Sequence, residues 1–372
     1  MRAVLFLCTF FVTIRHCPGQ SLVIPLSAPI HLFSTADFPN YVPFAQMLSL
    51  DVMGAEKVGF KLTQVNPTDN GPNFIVVSPA EGEAPMSVLI TVNPNVTTYL
   101  PPGGYGVNLV FSTVGTPSPS TVTEPVQLTV YAPPPPSVTS VVSAASLQPA
   151  ISPGEIVSIF GANVGTPPVS SQYDYTGLYP TSLGNTTVTF GGTPAPLLYV
   201  STTQINAVVP FGMAGQKSVD VVVTHDSVAA PSVSVPIVDT SPAIFTTTQT
   251  GEGQGAILNP TGSPKSAGNP AAQGSQIAIF ATGGGLLDQN VQDGSIFLQS
   301  YLFDGQPAAP VSVTIGGQPA KIFYAAAAPY EVVGMLQINA EVPVGIASGA
   351  QPVVLTIGKN NNASQQVTVA VK

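Results

Sequence analysis

"QINAVVPFG", residues 204–212, returns 133 residues later as "QINAEVPVG", residues 337–345, with seven of nine positions identical. Side chains alternate along a strand, so Ile205, Ala207 and Val209 share one face, matched by Ile338, Ala340 and Val342 in the second copy. That face reads as core. The other face carries Gln204, Asn206 and Val208 against Gln337, Asn339 and Glu341, and the Val208/Glu341 difference marks an outward position free to change chemistry. Pro210 and Pro343 end the strand by withholding a ladder donor, and Gly212 and Gly345 permit the turn beyond it. Asn206 and Asn339 allow two readings. Their amides bond to the backbone of an adjacent loop, or they contact a polar ligand. A ligand site has no need of both copies and a fold does, which favours the structural reading.

The repetition extends outward from this stretch. "GEIVSIFGANVG" (154–165) aligns with "GSQIAIFATGGG" (274–285) at an offset of 120, and "VTFGGTPAPLLY" (188–199) with "VTIGGQPAKIFY" (313–324) at an offset of 125. The growing offset locates two insertions in the second copy, one between Gly285 and Val313 and one of eight residues between Tyr324 and Gln337. Such insertions belong in surface loops. The Gly-Gly pair inside each aligned segment suits a tight hairpin with positive φ. The copies span 137–246 and 247–372. Ahead of them, Pro133–Pro136 is a run of four residues without backbone N–H, a semi-rigid spacer. Ahead of the spacer, residues 21–132 hold short strand candidates such as "MLSLDVM" (47–53), "FKLTQV" (60–65), "MSVLITV" (86–92), "YGVNLVFS" (105–112) and "PVQLTVY" (125–131), the pattern of a β-sandwich.

Composition agrees with many short strands joined by turns. Only 7% of residues are charged, with 39 prolines and 35 glycines in 372 residues, and 44% are hydrophobic, too many for a disordered chain. Net charge is −9 and the nine basic residues are scattered, which argues against nucleic acid and anionic membrane surfaces. Residues 1–20 read as an export signal: Arg2, an apolar run from Ala3 to Ile14, then Cys17-Pro18-Gly19. A lipid anchor on Cys17 is the rival reading, and Arg15-His16 fit it poorly. No later segment has eighteen uninterrupted apolar residues, so the mature chain has no membrane span. Both cysteines, Cys8 and Cys17, lie in the leader, which leaves the mature domains to be held by their cores alone.

"PSVTSVVSAASLQPAISPGEIVSIFGANVG", followed by "VTFGGTPAPLLYVSTTQINAVVPFGMAGQKSVDVVV", resembles an IPT/TIG immunoglobulin-like domain. Ser143 to Lys372 resembles an uncharacterised C-terminal module of secreted acidobacterial proteins, and "VVSPAEGEAPMSVLITVNP" with "LPPGGYGVNLVF" is weakly similar to BACON-like spacers of bacterial surface proteins. The resemblance implies an immunoglobulin-like β fold, an extracellular setting and no catalytic residues. The expected architecture is all-β, three tandem immunoglobulin-like β-sandwich domains.

Candidate chemistry is sparse. After the leader only His31 and His225 remain. A serine triad built on His225 and Asp226 fails because adjacent residues on a strand point to opposite faces, and no G-x-S-x-G elbow is present. "DQNVQDG" (288–294) is a candidate calcium loop between Asp288 and Asp293, but lacks the Gly and Glu of an EF-hand; a solvated turn is its alternative. No acid pair nominates a glycosidase, and no cofactor is expected. What stands out on a charge-poor surface is aromatic: Tyr173, Tyr175 and Tyr179 in "YDYTGLYP", then Tyr301 and Tyr330 in the insertions of the second copy, beside Phe297 and Phe303. These rings bind a partner, an extracellular protein or a glycan, or they pack one repeat against the other. The expected role is a non-catalytic extracellular structural or interaction module of the cell surface or secretome, with a carbohydrate-binding or adhesion protein as the alternative.

Overall fold

The structure is a computed structural model. It describes residues 21–24, 30–35, 45–53, 57–67, 73–93, 96, 100–116, 119–132, 134–259, 262–297, 305–358 and 362–372. Residues 1–20, read from the sequence as an export signal and containing Cys8 and Cys17, and Tyr301 and Phe303, lie outside the described residues. The chain divides into two compact units, Met1–Pro134 and Pro135–Lys372, and the division falls inside the four-proline run.

The first unit is a sandwich of two sheets. One has the strand order Ser21–Val23, Gln46–Met53, Met86–Val92, Ile75–Ser78; the other runs Ile30–Thr35, Thr121–Tyr131, Gly103–Val114, Val58–Pro67, Glu81–Ala84. Period-two alternation sets the inner faces. Val126, Leu128 and Val130 are buried while Gln127 and Tyr131 are exposed. Leu48, Leu50, Phe60 and Phe111 fill the space between the sheets, the two phenyl rings edge to face at 6.1 Å.

The second unit contains both repeats. In the first, one sheet runs Ser137–Ser143, Ile156–Ala162, Gln204–Val208, Leu197–Val200, Val169–Ser170, and faces a sheet centred on Thr186–Phe190 and Ser218–His225. In the second, the matching sheet runs Ala243–Ile244, Gln276–Thr282, Leu336–Glu341, Ile322–Ala327, and faces Gln318–Pro319, Val311–Ile315, Gly349–Ile357, Val367–Val371. The QINA strand is central in both and keeps its register: Ile159 pairs Ile205, and Ile279 pairs Ile338. All four isoleucines are buried. The Gly-Gly pairs turn as hairpins, with φ of 56° and 83° at Gly191 and Gly192 and of 60° and 76° at Gly316 and Gly317. Ala243–Ile244, assigned to the first copy by the alignment boundary at 246, hydrogen-bonds to Gln276–Thr282 and belongs to the second sheet.

Three details depart from expectation. Asn206 and Asn339 do not reach a neighbouring loop. Asn206 Oδ1 accepts from Gln204 Nε2 at 2.9 Å and from Ser158 Oγ at 3.1 Å, and Asn339 Oδ1 accepts from Gln337 Nε2 at 2.9 Å. Residues two apart share a strand face, so the amides of Gln and Asn meet there. Gly345 turns at φ 82°, but Gly212 lies inside a 3-10 turn, Phe211–Met213, and needs no positive φ. Val208 is not outward but fully buried. Its cross-strand partner is Ile156, and the pair packs against Val332 of the second repeat.

That contact is part of a seam joining the repeats. Where the first repeat pairs Ile156 with Val208, the second pairs Gln276 with Glu341, which solvent reaches. Buried Thr282 accepts from Ile156 N at 2.9 Å and donates to Gly334 O at 2.8 Å. Gly334, at φ 118°, lies so near the first repeat that a Cβ there would stand 2.2 Å from Gly154 O. Gln365 Nε2 donates to Ala145 O at 3.2 Å and to Ile244 O at 2.6 Å, tying the first repeat to the second.

Candidate functional site

The insertions of the second repeat build a ribbon across the seam. Residues 294–297 run between the tyrosine loop of the first repeat and the turn at 328–333. On one side Tyr179 N donates to Gly294 O at 2.8 Å and Ile296 N to Gly177 O at 2.8 Å; on the other Phe297 N donates to Glu331 O and Val333 N to Ser295 O, both at 2.8 Å. Phe297 is buried with Ala327 and Val333. The backbone of these loops therefore packs repeat on repeat.

The rings are another matter. Tyr175 is 100% exposed, Tyr330 70% and Tyr173 47%. Tyr179 is half-buried in the seam cluster and meets Tyr173 edge to face at 5.9 Å. Burial, with the nearby carboxylate of Glu331 and the ring of Tyr173, raises the Tyr179 phenol above its ordinary value. Asp174 holds the loop in shape by accepting from Thr176 N at 2.8 Å, Leu178 N at 3.1 Å and the Thr176 hydroxyl. These bonds, the Thr176 hydroxyl first, keep its carboxyl below the usual range. Tyr330 sits at φ 63°, third in the turn Ala328-Pro329-Tyr330-Glu331, which Glu331 N closes onto Ala328 O at 3.2 Å. Pro second and positive φ third describe a type II turn, whose third position ordinarily belongs to glycine. The fold thus brings Tyr173, Tyr175, Tyr179 and Tyr330 to the two loops that flank the ribbon.

The remaining candidates resolve into fold. Asp288 Oδ1 accepts from Gly305 N at 3.1 Å and Asp293 Oδ1 from Phe211 N at 2.8 Å, each pinning a different loop. Among the described residues no three metal-ligating side chains group together. His225 and Asp226 do touch, at 3.4 Å, contrary to the alternation argument. The strand ends at His225, and Asp226 and Ser227, at φ 47° and 67°, form the two-residue hairpin that swings the carboxylate back. Thr186 Oγ1 lies 3.0 Å from the other ring nitrogen, but this hydroxyl also bonds Gly184 O and its residue is fully buried, so no substrate reaches it. A cleft of about 510 Å³ opens beside Pro153, Asp239 and Pro310. Two of its polar residues, Thr240 and Asn362, are spent on each other and on Ile357 O.

One ionisable residue went unnoticed in the sequence. Glu155 is fully buried; its Oε2 accepts from Ser152 N at 2.8 Å and Ser152 Oγ at 3.1 Å, and the Ser143 hydroxyl also acts on the carboxyl. Burial pushes this carboxyl up to about 8 from an ordinary 4.5.

Residues 136–237 match the IPT/TIG domain model. An IPT/TIG immunoglobulin-like domain is thus present in the first repeat. No curated protein matches the chain in sequence. Among solved structures it is similar to the SGBP-B protein of a Bacteroides ovatus mixed-linkage glucan utilization locus, in complex with a heptasaccharide, at 13% identity over 96% of this chain and 71% of that one, TM-score 0.27. It is similar to Drosophila N-cadherin EC1-4 at 11% identity over 92% and 74%, TM-score 0.20, and to domains 5-6 of the S-layer protein SbsC at 12% identity over 59% and 100%, TM-score 0.19. No helix among the described residues is long and apolar enough to cross a membrane.

Proposed function

We propose that the mature chain is a non-catalytic extracellular interaction module, whose tyrosine-bearing loops at the repeat seam contact the partner. The observation that carries this is Tyr330. A non-glycine residue at positive φ costs about 1 kcal/mol or more, and such outliers persist where they serve a function. Here the strained residue buries little: its ring is 70% exposed. Tyr175 extends fully into solvent from a loop that Asp174 braces. Tyrosine is favoured at binding hot spots because it offers a large rigid face and a polar tip at low entropy cost. A glycan is the second candidate partner, favoured by the Glu331 carboxylate beside exposed rings, which suits hydroxyl groups stacked on an aromatic face.

The test is capture from the native envelope by the mature chain, run beside a glycan array. The double variant Tyr175→Ser, Tyr330→Gly should fold as well as the parent and lose capture. Capture undiminished by the double variant would sink the proposal. Array signal that the double variant loses would identify a glycan; capture of a protein with a silent array would identify a protein.

A further inference from the structure

We propose that the outer edge of the strand Ile322–Ala327 is a docking site for an extended, uncharged segment of another polypeptide, which adds to the sheet as one more strand. The repeat supplies the comparison. Leu197–Val200 is the corresponding strand of the first copy, and both strands carry the same bulge, before Tyr199 and before Tyr324. In the first copy the edge is occupied: Val169 pairs Val200, Ser170 pairs Tyr199, Ser171 N donates to Leu198 O at 3.0 Å, and Ser171 Oγ donates to Leu197 O at 2.6 Å. The aligned residues of the second copy are Phe323 for Leu198 and Ala325 for Val200. There the sheet ends at Ile322–Ala327, with no strand beyond it among the described residues. Phe323 is 39% exposed.

Where the first copy holds its extra strand, the second holds a groove of about 500 Å³ between Ile322–Ala325 and the segment 306–311. That segment does not pair with the edge. Pro307 and Pro310 have no N–H, and three of its backbone groups are engaged elsewhere: Gln306 O accepts from Asp288 N at 2.8 Å, Ala308 N donates to Leu286 O at 2.8 Å, and Pro310 O accepts from Gly358 N at 2.9 Å. Among the described residues Gly305 reaches the strand, where its carbonyl takes Ala327 N at 2.9 Å. Ladder groups alternate in direction, so Ala325 turns its N–H and C=O the same way as Ala327, into the groove.

The groove also states what it takes. Its walls are proline, alanine, valine, isoleucine, Phe323, Tyr324 and Gln306, with no charged residue, so a charged side chain inside would lose its water and gain no partner. The first copy seats Val-Ser-Ser on the matching edge. Edges are commonly protected by bulges and lysines, and Lys321 stands at the head of this strand with its ammonium 4.8 Å from the Phe323 ring centroid. The bulge is no barrier, since the first copy pairs across an identical one. Lys321 sits outside the groove lining, where it deters edge-to-edge pairing of two such strands more than it deters an uncharged peptide.

The probe is a synthetic peptide of the chain's own strand, Thr166–Tyr173 (TPPVSSQY), added to the full mature protein while amide exchange is followed residue by residue. Saturable slowing at Ala325 of about tenfold or more is expected, with the opposite sheet unchanged. Ala325→Pro removes the outward N–H and leaves the inner ladder, and it should abolish the effect. Ala308→Glu, on the exposed far wall of the groove, should do the same without touching the strand, and serves where Ala325→Pro does not fold. A peptide with Lys at the position of Val169 should bind at least about tenfold more weakly, as a desolvated charge requires. No slowing at millimolar peptide, slowing that survives Ala308→Glu, or an edge already protected in a self-associated parent protein would each overturn the proposal.

Discussion

Replacing Glu155 by Gln should flatten the pH dependence of stability of the second unit. Glu155 is fully buried, and the hydrogen bonds of Ser143 and Ser152 to its carboxyl offset only part of the cost of burying a charge. Its folded pKa of about 8 stands above the ordinary 4.5. Between those values the folded chain keeps a proton that the unfolded chain has released, so protons drive folding. The stabilisation is complete below pH 4.5 and is lost as pH rises through 8. The two values lie 3.5 pH units apart, and at about 1.4 kcal/mol per unit the loss is about 5 kcal/mol. Gln has the same shape, still accepts from Ser152 through its carbonyl oxygen, and never ionises. Urea unfolding followed by far-UV circular dichroism between pH 5 and 9 supplies the measurement, read on the transition that the substitution moves. The parent should weaken steadily toward pH 9. The variant should lack that slope and be the more stable of the two at pH 9. Parent and variant curves that run parallel across the range would refute the reasoning, because Glu155 would then ionise alike in both states.

Ile205→Ala should cost about 2–5 kcal/mol by chemical denaturation, as truncating a fully buried aliphatic does. Asn206→Ala should cost about 1–3 kcal/mol because it strands the amide of Gln204 and the hydroxyl of Ser158, and a cost near zero would contradict a structural role. Val208→Glu places in the first copy the residue the second carries at Glu341; burying that charge at the seam should lower the melting temperature by many degrees, while Glu341→Val should change it little. Tyr330→Gly should raise stability by about 1 kcal/mol through relief of its positive φ, and a loss of stability would show that the ring is needed for packing.

Much of the core was legible because the chain writes it twice. Identical Ile, Ala, Pro and Gly at matched places in two copies leave few readings other than shared strands and turns, and the buried Ile205/Ile338 pair and the Gly-Gly hairpins follow directly. Period-two alternation has a limit: it names the face that a sandwich buries and is silent on whether a neighbouring domain covers the other. By alternation alone Val208 reads as outward, yet the second repeat covers it. A signal was nevertheless present, for Ile156 and Val208 become Gln276 and Glu341 together, and those four residues are two cross-strand pairs. Alternation does not extend to Asp226, where the chain has already left the strand. Glu155 carried no mark at all, since a carboxylate ahead of a strand is ordinarily a solvated one. The tyrosines were legible as a set, but their division between packing and display depends on the ribbon at 294–297, which insertions alone do not describe.

The two copies diverge in a way that separates surface from core. The two copies differ on an outer sheet face and at a sheet edge, and each difference has a physical consequence. On the QINA sheet face, the first copy is apolar at the Ile156/Val208 pair and is covered by the second; the counterpart pair is polar and faces water. At the edge, the first copy carries a two-residue strand against Leu197–Val200, while the second has a groove there, with no strand beyond Ile322–Ala327 among the described residues. The insertions of the second copy supply the ribbon that fastens the seam and the turn that displays Tyr330. Packing and exposure therefore arise from the same segments. Deleting the insertions to simplify the molecule should weaken the contact between the repeats and strip away Tyr330 together, whereas point changes at Tyr175 or Tyr330 separate the two effects.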